Sequence, residues 1–292
     1  MKNDIAYWAI VPAAGFGHRL GAPVPKQFLA IGNKTVLEHC LESLWKLPEL
    51  SGMVLVSHGH PALACIQERF RNQRLLRADG GEKRCHSVLN GLHALAGQAH
   101  ADDWVLVHDA ARPCVRQHDL RVLINALASH EVGGLLGTRV HDTMKRIDAQ
   151  RLVQETVERR GLWHAHTPQM FRYGLLRQCL EQALKEGDEV TDEASALEAC
   201  GRAPVLVAAA RDNLKITHPE DLAMARLLLA AREAGLYVSG GTVAFLLVWM
   251  LLGFAGILEP VGIRMANLAH GAGFLSGLAI GYGPQLVRRW KA

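Results

Sequence analysis

Between Tyr7 and Ala209, short apolar runs rich in β-branched residues alternate with longer stretches whose apolar positions recur every three or four residues. The short runs, residues 6–11, 52–57, 75–78, 104–108, 133–138 and 205–209, predict strands. The periodic stretches, 35–45, 61–70, 87–96 and 120–129, each offer one apolar face and predict the crossover helices of a parallel sheet covered on both sides. Thr217 and Glu220, with Pro219 in the first turn, read as a capping box opening a helix that runs to about Glu233, and Gly235 as its stop.

Two regions depart from this alternation. Within residues 139–163, Val140, Thr143, Met144 and Ile147, then Leu152, Val153, Thr156 and Val157, predict two extended strands around Asp148 and Gln150. Such a ribbon outside the main sheet packs on a partner subunit or folds back as a local flap. Further on, residues 242–258 are seventeen consecutive uncharged positions and 265–282 another eighteen, separated by Glu259, Pro260 and Arg264. At 1.5 Å per residue each run spans about 26 Å, just short of a bilayer core of roughly 30 Å. Buried helices of a second domain are the other reading, but no amphipathic elements remain in the chain to cover them. The expectation is an α/β domain over residues 1–235 followed by a hydrophobic tail, 236–292, forming a hairpin of two membrane helices. Arg288, Arg289 and Lys291 after the second run return that hairpin to the cytoplasm, where the α/β domain would sit.

Charge adds one exclusion. Residues 237–292 carry +3 of the net +4, so the body is nearly neutral and is not a nucleic-acid binder by charge. The six cysteines form no C-x-x-C pair, which fits a reducing compartment and argues against a zinc site. Lys2 followed by the apolar stretch 5–14 resembles a signal peptide, but Asp4 and Pro12 suit a buried strand better.

The candidate chemistry sits where strands end. After the first strand comes Pro12-Ala13-Ala14-Gly15-Phe16-Gly17-His18-Arg19-Leu20, then Pro25-Lys26-Gln27. Small residues here let backbone N–H groups approach an anion, and Arg19 and Lys26 make the turn electropositive, which a purely structural turn does not need. It is neither a Walker A loop nor a dinucleotide fingerprint, since Leu20 stands where the third glycine belongs. The string Gly80 to Ser87 opens a helix and presents backbone donors, the Arg84 charge and the Ser87 hydroxyl to a base or phosphate. The strand at 104–108 runs into Asp109-Ala110-Ala111-Arg112-Pro113, placing a carboxylate at a carboxyl strand end, where open α/β sheets bind ligands. One such carboxylate beside a triphosphate suffices for Mg2+, which completes its shell with water and phosphate oxygens.

Taken in order, the strings VPAAGFGHRL, PKQF, GGEKRCHSVLNGL, VLVHDAARP, DTMKR, TVERRGLWHAHTPQ, TDEASALE and DNLKITHPEDL resemble the 2-C-methyl-D-erythritol 4-phosphate cytidylyltransferase family over about residues 5–234. The resemblance implies a Rossmann-like, mostly parallel sheet of nucleotidyltransferase type with a protruding β-arm. It also implies attack by the polyol phosphate on the α-phosphorus of CTP, with pyrophosphate leaving and no covalent enzyme intermediate. By this match Arg19 and Lys26 stabilise the transition state, while Arg159 and Lys215 hold methylerythritol phosphate. Pro12, Ala13, Ala14, Gly15, Gly17, Gly81, Glu82, Arg84, Ser87 and Ala110 surround the nucleotide, and Asp109 holds Mg2+. Arg112, Thr143, Thr167 and Thr191 surround the second substrate. The arm would join two subunits into a homodimer and deliver Thr143 and Arg159 to the partner's site. Glu82 and His18 depart from the residues familiar at their positions. Ribitol phosphate remains an alternative polyol.

Residues 243–282 resemble the last two membrane helices of a rhomboid protease, most clearly in Met265-Ala266-Asn267-Leu268-Ala269-His270-Gly271-Ala272-Gly273, with His270 at the catalytic base. The serine motif is incomplete, because Ser239-Gly240 is preceded by Tyr237 and Val238 rather than by the required glycine. Independent proteolysis by the tail is therefore not expected.

Overall fold

The computed structural model describes residues 5–17, 21 and 24–234. Arg19 and His18 lie outside the described residues, as do both apolar runs of the tail. The chain divides into two compact units, Met1–Arg226 and Leu227–Ala292, and the sheet and its crossover helices belong to the first. Among the described residues no helix is long and apolar enough to cross a membrane.

Seven strands form the main sheet in the order β11-β7-β10-β6-β1-β4-β5. They are β1 (Tyr7–Pro12), β4 (Leu50–Ser57), β5 (Leu75–Asp79), β6 (Trp104–Val107), β7 (Gly133–Arg139), β10 (Trp163–Arg172) and β11 (Val205–Ala208). A short two-stranded ribbon, β2 (Ala30–Ile31) and β3 (Lys34–Thr35), lies apart. The six predicted strands are all present, and all pairings among them are parallel. The seventh, β10, runs antiparallel between β6 and β7 and was not read from the sequence as part of the sheet. Its pairing with β7 is irregular between Ala165 and Gln169, where Pro168 has no N–H to donate.

The strands read as near-continuous apolar runs because helices cover both faces. Along β1 successive side chains alternate between two cores. Ala9 and Val11 pack with Leu37 and Leu41 of α1 (Val36–Trp45), Ile66 of α2 (Ala62–Arg69) and Leu123 of α4 (Gln117–Leu127). Trp8 and Ile10 pack with Val88 and Leu92 of α3 (Arg84–Ala94), Leu176 of α5 (Tyr173–Glu186) and Leu197 of α6 (Glu193–Ala199). Helix α1 begins with a full capping box, Thr35 accepting from the Glu38 N–H and the Glu38 carboxylate accepting from the Thr35 N–H.

The last helix, α7, spans Pro219–Glu233 as expected, but its cap differs from the predicted one. Asp221, not Glu220, reaches back, and its Oδ2 accepts from the N–H groups of Thr217 at 2.8 Å and His218 at 2.7 Å. The Thr217 hydroxyl instead meets the Lys215 carbonyl at 3.3 Å. Pro219 occupies the first helical position, so the residue whose side chain can fold back over the start is the third, and that is Asp221.

Residues 139–163 form the predicted ribbon. Strands β8 (Met144–Ile147) and β9 (Val153–Val157) pair antiparallel as a separate two-stranded sheet. Arg151 in the turn between them has φ of 63°. Ile147, Leu152 and Val153 are all more than half exposed.

Candidate active site

Strand order decides where the site forms. The chain moves outward from β1 to β4 and β5, then returns to lay β6 on the other side of β1. The crevice at the carboxyl ends of β1 and β6 is therefore the topological switch point, where open α/β sheets bind ligands. A cavity of about 400 Å³ lies there.

Its first wall is the glycine turn after β1. The Ala13 N–H is anchored to the Val56 carbonyl at 2.7 Å. Gln27, on the 3-10 turn Lys26–Phe28, donates its Nε2 to the carbonyls of Ala13 at 2.6 Å and Gly15 at 3.0 Å. Those bonds satisfy two of the turn's carbonyls. Gly17 has φ of 69°, and a Cβ there would stand 3.0 Å from Lys26 Cγ, so only glycine lets the turn close against Lys26. Lys26 Nζ donates to the Ile216 carbonyl at 2.8 Å.

The second wall follows β5. A Cβ on Gly81 would come within 2.4 Å of His86 Cβ, so the loop passes too close to the start of α3 for any side chain. Ser87 lines the cavity, but its hydroxyl does not stand ready for a ligand as the sequence suggested. It accepts from the Gly81 N–H at 3.0 Å and donates to the Lys83 carbonyl at 3.3 Å, because capping the loop satisfies a buried hydroxyl that a ligand-facing pose would leave bare. His58 at the end of β4 stacks on Phe16 of the glycine turn, with ring centroids 6.0 Å apart.

Asp109, just past β6, is the electrostatic centre. Its Oδ1 meets Arg84 Nε at 2.9 Å, and its Oδ2 meets Lys215 Nζ at 2.9 Å and Arg112 Nε at 3.5 Å. Burial opposes ionisation of this carboxyl, but Arg84, Lys215 and Arg112 outweigh it and hold Asp109 far below the usual carboxylate range. Burial likewise disfavours charge on Arg84, yet Glu193 and Asp109 together raise it above the ordinary guanidinium value.

Behind Asp109 lies a polar shell with almost no exposure. The Asp109 N–H donates to Thr167 Oγ1 at 3.0 Å, and the Thr167 hydroxyl lies 3.0 Å from His108 Nδ1. His108 Nε2 is 3.1 Å from the Arg112 carbonyl. A neutral ring protonated at Nε2, accepting from Thr167 at Nδ1, satisfies all three contacts. Burial, partly opposed by Asp109, pushes His108 down to about 4, in keeping with that neutral form. Asn213 donates Nδ2 to the Thr167 carbonyl at 2.8 Å, while its backbone carbonyl accepts from Arg112 Nη1 at 2.6 Å. This latches the segment carrying Lys215 onto the sheet.

The cavity thus gathers Pro12, Ala13, Ala14, Gly15, Gly17 and Lys26 from the first wall with Gly81, Glu82, Arg84 and Ser87 from the second, and adds Asp109, Ala110 and Lys215. Arg112 and Thr167 stand directly behind it. Thr191 is exposed beside the start of α6, its N–H donating to Ser195 Oγ at 3.2 Å. Thr143 is exposed just before β8, and Arg159 lines a different cavity, of about 590 Å³, at the base of the arm with Arg139, His141 and Trp163. Arg159 donates there to the His141 carbonyl. Within one chain, then, Thr143 and Arg159 do not line the central cavity.

Sequence reasoning assigned no role to Gln27, His58, His108, Glu193 or Asn213. Gln27, His108, Glu193 and Asn213 stand inside strings already singled out, but a polar residue that will be buried against a distant partner carries no local mark. Among the described residues no group of three His, Cys, Asp or Glu could hold a metal ion. Asp109 and Glu82 are the carboxylates that line the cavity, too few to hold an ion unless its remaining ligands come from phosphate and water.

Comparison with known proteins places these features in a lineage. The family model for 2-C-methyl-D-erythritol 4-phosphate cytidylyltransferase (IspD) matches residues 7–231. The protein of that name from Vibrio vulnificus (strain YJ016) is 48% identical over 226 residues, covering 77% of this chain and 95% of that one. Its counterpart from Yersinia pseudotuberculosis serotype O:1b (strain IP 31758) is 46% identical over 227 residues, covering 77% and 92%. Among solved structures, a 4-diphosphocytidyl-2C-methyl-D-erythritol synthase superposes with TM-score 0.68 at 38% identity, over 78% of this chain and all of that one. The Francisella tularensis 2-C-methyl-D-erythritol 4-phosphate cytidylyltransferase gives 0.65 at 32% identity, over 76% and 99%. The matched region stops at residue 231, so the expected resemblance of residues 243–282 to rhomboid helices finds no support in it.

Proposed function

Since the chain belongs to the 2-C-methyl-D-erythritol 4-phosphate cytidylyltransferase family, and so transfers a cytidylyl group from CTP to that polyol phosphate in isoprenoid biosynthesis, we propose that the cavity between the glycine turn and Asp109 is where the transfer occurs. A phosphate oxygen of the polyol forms a new bond to the α-phosphorus of CTP. The bond from that phosphorus to the bridging oxygen breaks, and pyrophosphate leaves. No group on the protein becomes covalently attached, so the work of the site is to align two anions and to neutralise charge gathering on the α-phosphoryl oxygens.

The roles proposed are those the family resemblance implies. The turn from Pro12 to Gly17, with Gly81, Glu82, Arg84, Ser87 and Ala110, surrounds the nucleotide. Lys26 and Arg19 stabilise the transition state. Lys215 holds the polyol phosphate together with Arg159, and Arg112, Thr143, Thr167 and Thr191 belong to its surroundings. Asp109 would hold a magnesium ion, which would supply positive charge against the phosphate oxygens.

The observation that carries this reading is the charge balance at Asp109: Arg84, Arg112 and Lys215 surround it in a cavity walled by the glycine turn, and with Lys26 they outnumber the carboxylates of Asp109, Glu82 and Glu193. Cations in excess of the local carboxylates are what a triphosphate and a second phosphate require. Pyrophosphate release from purified protein tests it, with CTP against ATP and methylerythritol phosphate against ribitol phosphate. Release that requires CTP, methylerythritol phosphate and magnesium together is expected. Equal rates with ribitol phosphate would overturn the choice of polyol.

Two further parts of the proposal concern assembly. The exposed apolar residues of the arm, Ile147, Leu152 and Val153, suit burial against a second copy, which would bring Thr143 and Arg159 of each arm to the other subunit's cavity. The uncharged runs 242–258 and 265–282 suit a membrane hairpin that tethers a cytoplasmic catalytic domain. Removing residues 236–292 is then expected to move activity from the membrane pellet to the supernatant, and activity already in the supernatant of the full chain would overturn the tether.

A further inference from the structure

Glu193 is the most deeply placed acid near the site and has no part in the cytidylyl transfer itself. It is 1% exposed, and both its oxygens accept from Arg84, Oε1 from Nη1 at 2.7 Å and Oε2 from Nη2 at 3.1 Å. Paired donation of this kind is the geometry of an ionised carboxylate on a guanidinium. The Nε of the same guanidinium donates to Asp109 Oδ1 at 2.9 Å, and Asp109 Oδ2 meets Lys215 Nζ at 2.9 Å. Four side chains of alternating charge thus run from α6, through the first turn of α3, to the cation that faces the second substrate.

We infer that Glu193 is a positioning residue of the cytidylyl-transfer site: it locks Arg84 so that Arg84 and Asp109 meet the nucleotide in one fixed arrangement. The inference rests on the assignment of this cavity to CTP. It stands on how firmly Glu193 is itself held. Helix α6 has only seven residues, yet its start is pinned to β10 by Gln169. Gln169 donates Nε2 to Asp192 Oδ2 at 2.8 Å, and its Oε1 accepts from the Ala194 N–H at 2.8 Å. Asp192 also caps the helix, its Oδ1 accepting from the Ser195 N–H at 2.9 Å. The residue between those two anchors is Glu193.

Stability alone does not account for the arrangement. Taking a carboxylate out of water is costly, and well-packed apolar residues commonly serve a core as well or better. What a buried carboxylate adds is direction. Without it Arg84, a long side chain with many rotamers, has only Asp109 to orient it. Both would then have to be ordered when CTP arrives, at the expense of affinity.

A double-mutant cycle on the full-length protein tests this, using Arg84→Ala, Glu193→Gln and the two together, with KM for CTP, kcat and Tm read for each. If Glu193 acts through Arg84, Glu193→Gln raises KM for CTP about tenfold, and adding it to Arg84→Ala costs nothing further, since residues sharing one network are not additive. Glu193→Gln keeps the shape of the side chain, so it remains informative where Glu193→Ala does not fold. A variant with lowered Tm and unchanged KM, or losses that multiply in the double mutant, would overturn the inference. Wild-type protein that binds no CTP would overturn the functional reading itself, whereas wild-type binding beside an unaffected Glu193→Gln overturns only the role of Glu193.

Discussion

At the scale of single residues, charge and burial set what the site does. Lys26 lays its aliphatic stem against Gly17 of the glycine turn and donates its ammonium to the Ile216 carbonyl, next to Lys215. Losing a preorganised donor of this kind costs roughly 3 kcal/mol of transition-state stabilisation. Lys26→Ala is therefore expected to lower kcat about a hundredfold with Tm little changed, and a near-normal rate in folded protein would remove Lys26 from the mechanism. His108 makes a different prediction. Its pKa falls to about 4 in the folded protein, as does that of His166, and burial is the leading cause in both. An unfolded histidine titrates near 6.5, so between roughly pH 6.5 and pH 4 the unfolded chain binds more protons and stability falls as pH falls. Asp109 adds nothing in that window, because its depressed pKa confines its loss of stabilisation to lower pH, below about 4. Tm measured from pH 7.5 to 4.5 should decline more steeply for wild type than for His108→Gln. Parallel curves would show that His108 is not the titrating group.

At the scale of elements, the site depends on loops tied down by polar side chains. Asp221 accepts from the backbone of Thr217 and His218 and so fixes the exit of the segment that carries Lys215. Asp221→Ala should cost about 1 kcal/mol of stability, as loss of a helix cap does, and should raise KM for the polyol phosphate more than for CTP. Denaturant unfolding with steady-state kinetics on both substrates reads this, and an unchanged midpoint would refute it. Much of this level was legible in advance. Strands buried on both faces announce themselves as apolar runs, and the helices between them by their period, so six strands and four crossover helices emerged close to their final bounds. Strand β10 did not, because its first half, Trp163-His164-Ala165-His166-Thr167, mixes polar with apolar residues and is followed by Pro168, and its place is fixed by pairing with β6 and β7 rather than by an apolar run. Helix α6 is too short to show a period. For the site, glycines and strand-end charges pointed to the cavity, whereas Glu193 and Asn213 acquire meaning only when residues 84 and 112 arrive beside them.

At the scale of the whole molecule, one sheet places every wall of the cavity, and the arm extends from it. Val153→Asp together with Leu152→Asp should weaken self-association, seen as a shift toward monomer in sedimentation, and lower activity in parallel. A fully active monomer would show that the arm serves no partner. The antiparallel strand β10 joins these two ends of the protein. It leaves the arm at Trp163, carries Thr167 under Asp109 and Gln169 under α6, and closes at Arg172. Because neighbouring side chains on a strand face opposite ways, a slip of one place along β7 would turn Thr167 and Gln169 away from their partners at once. Asp109 and Glu193 would lose their footing together. The strand thus behaves like a ruler between handle and blade, and errors made in the arm would be read out as misalignment at the phosphates.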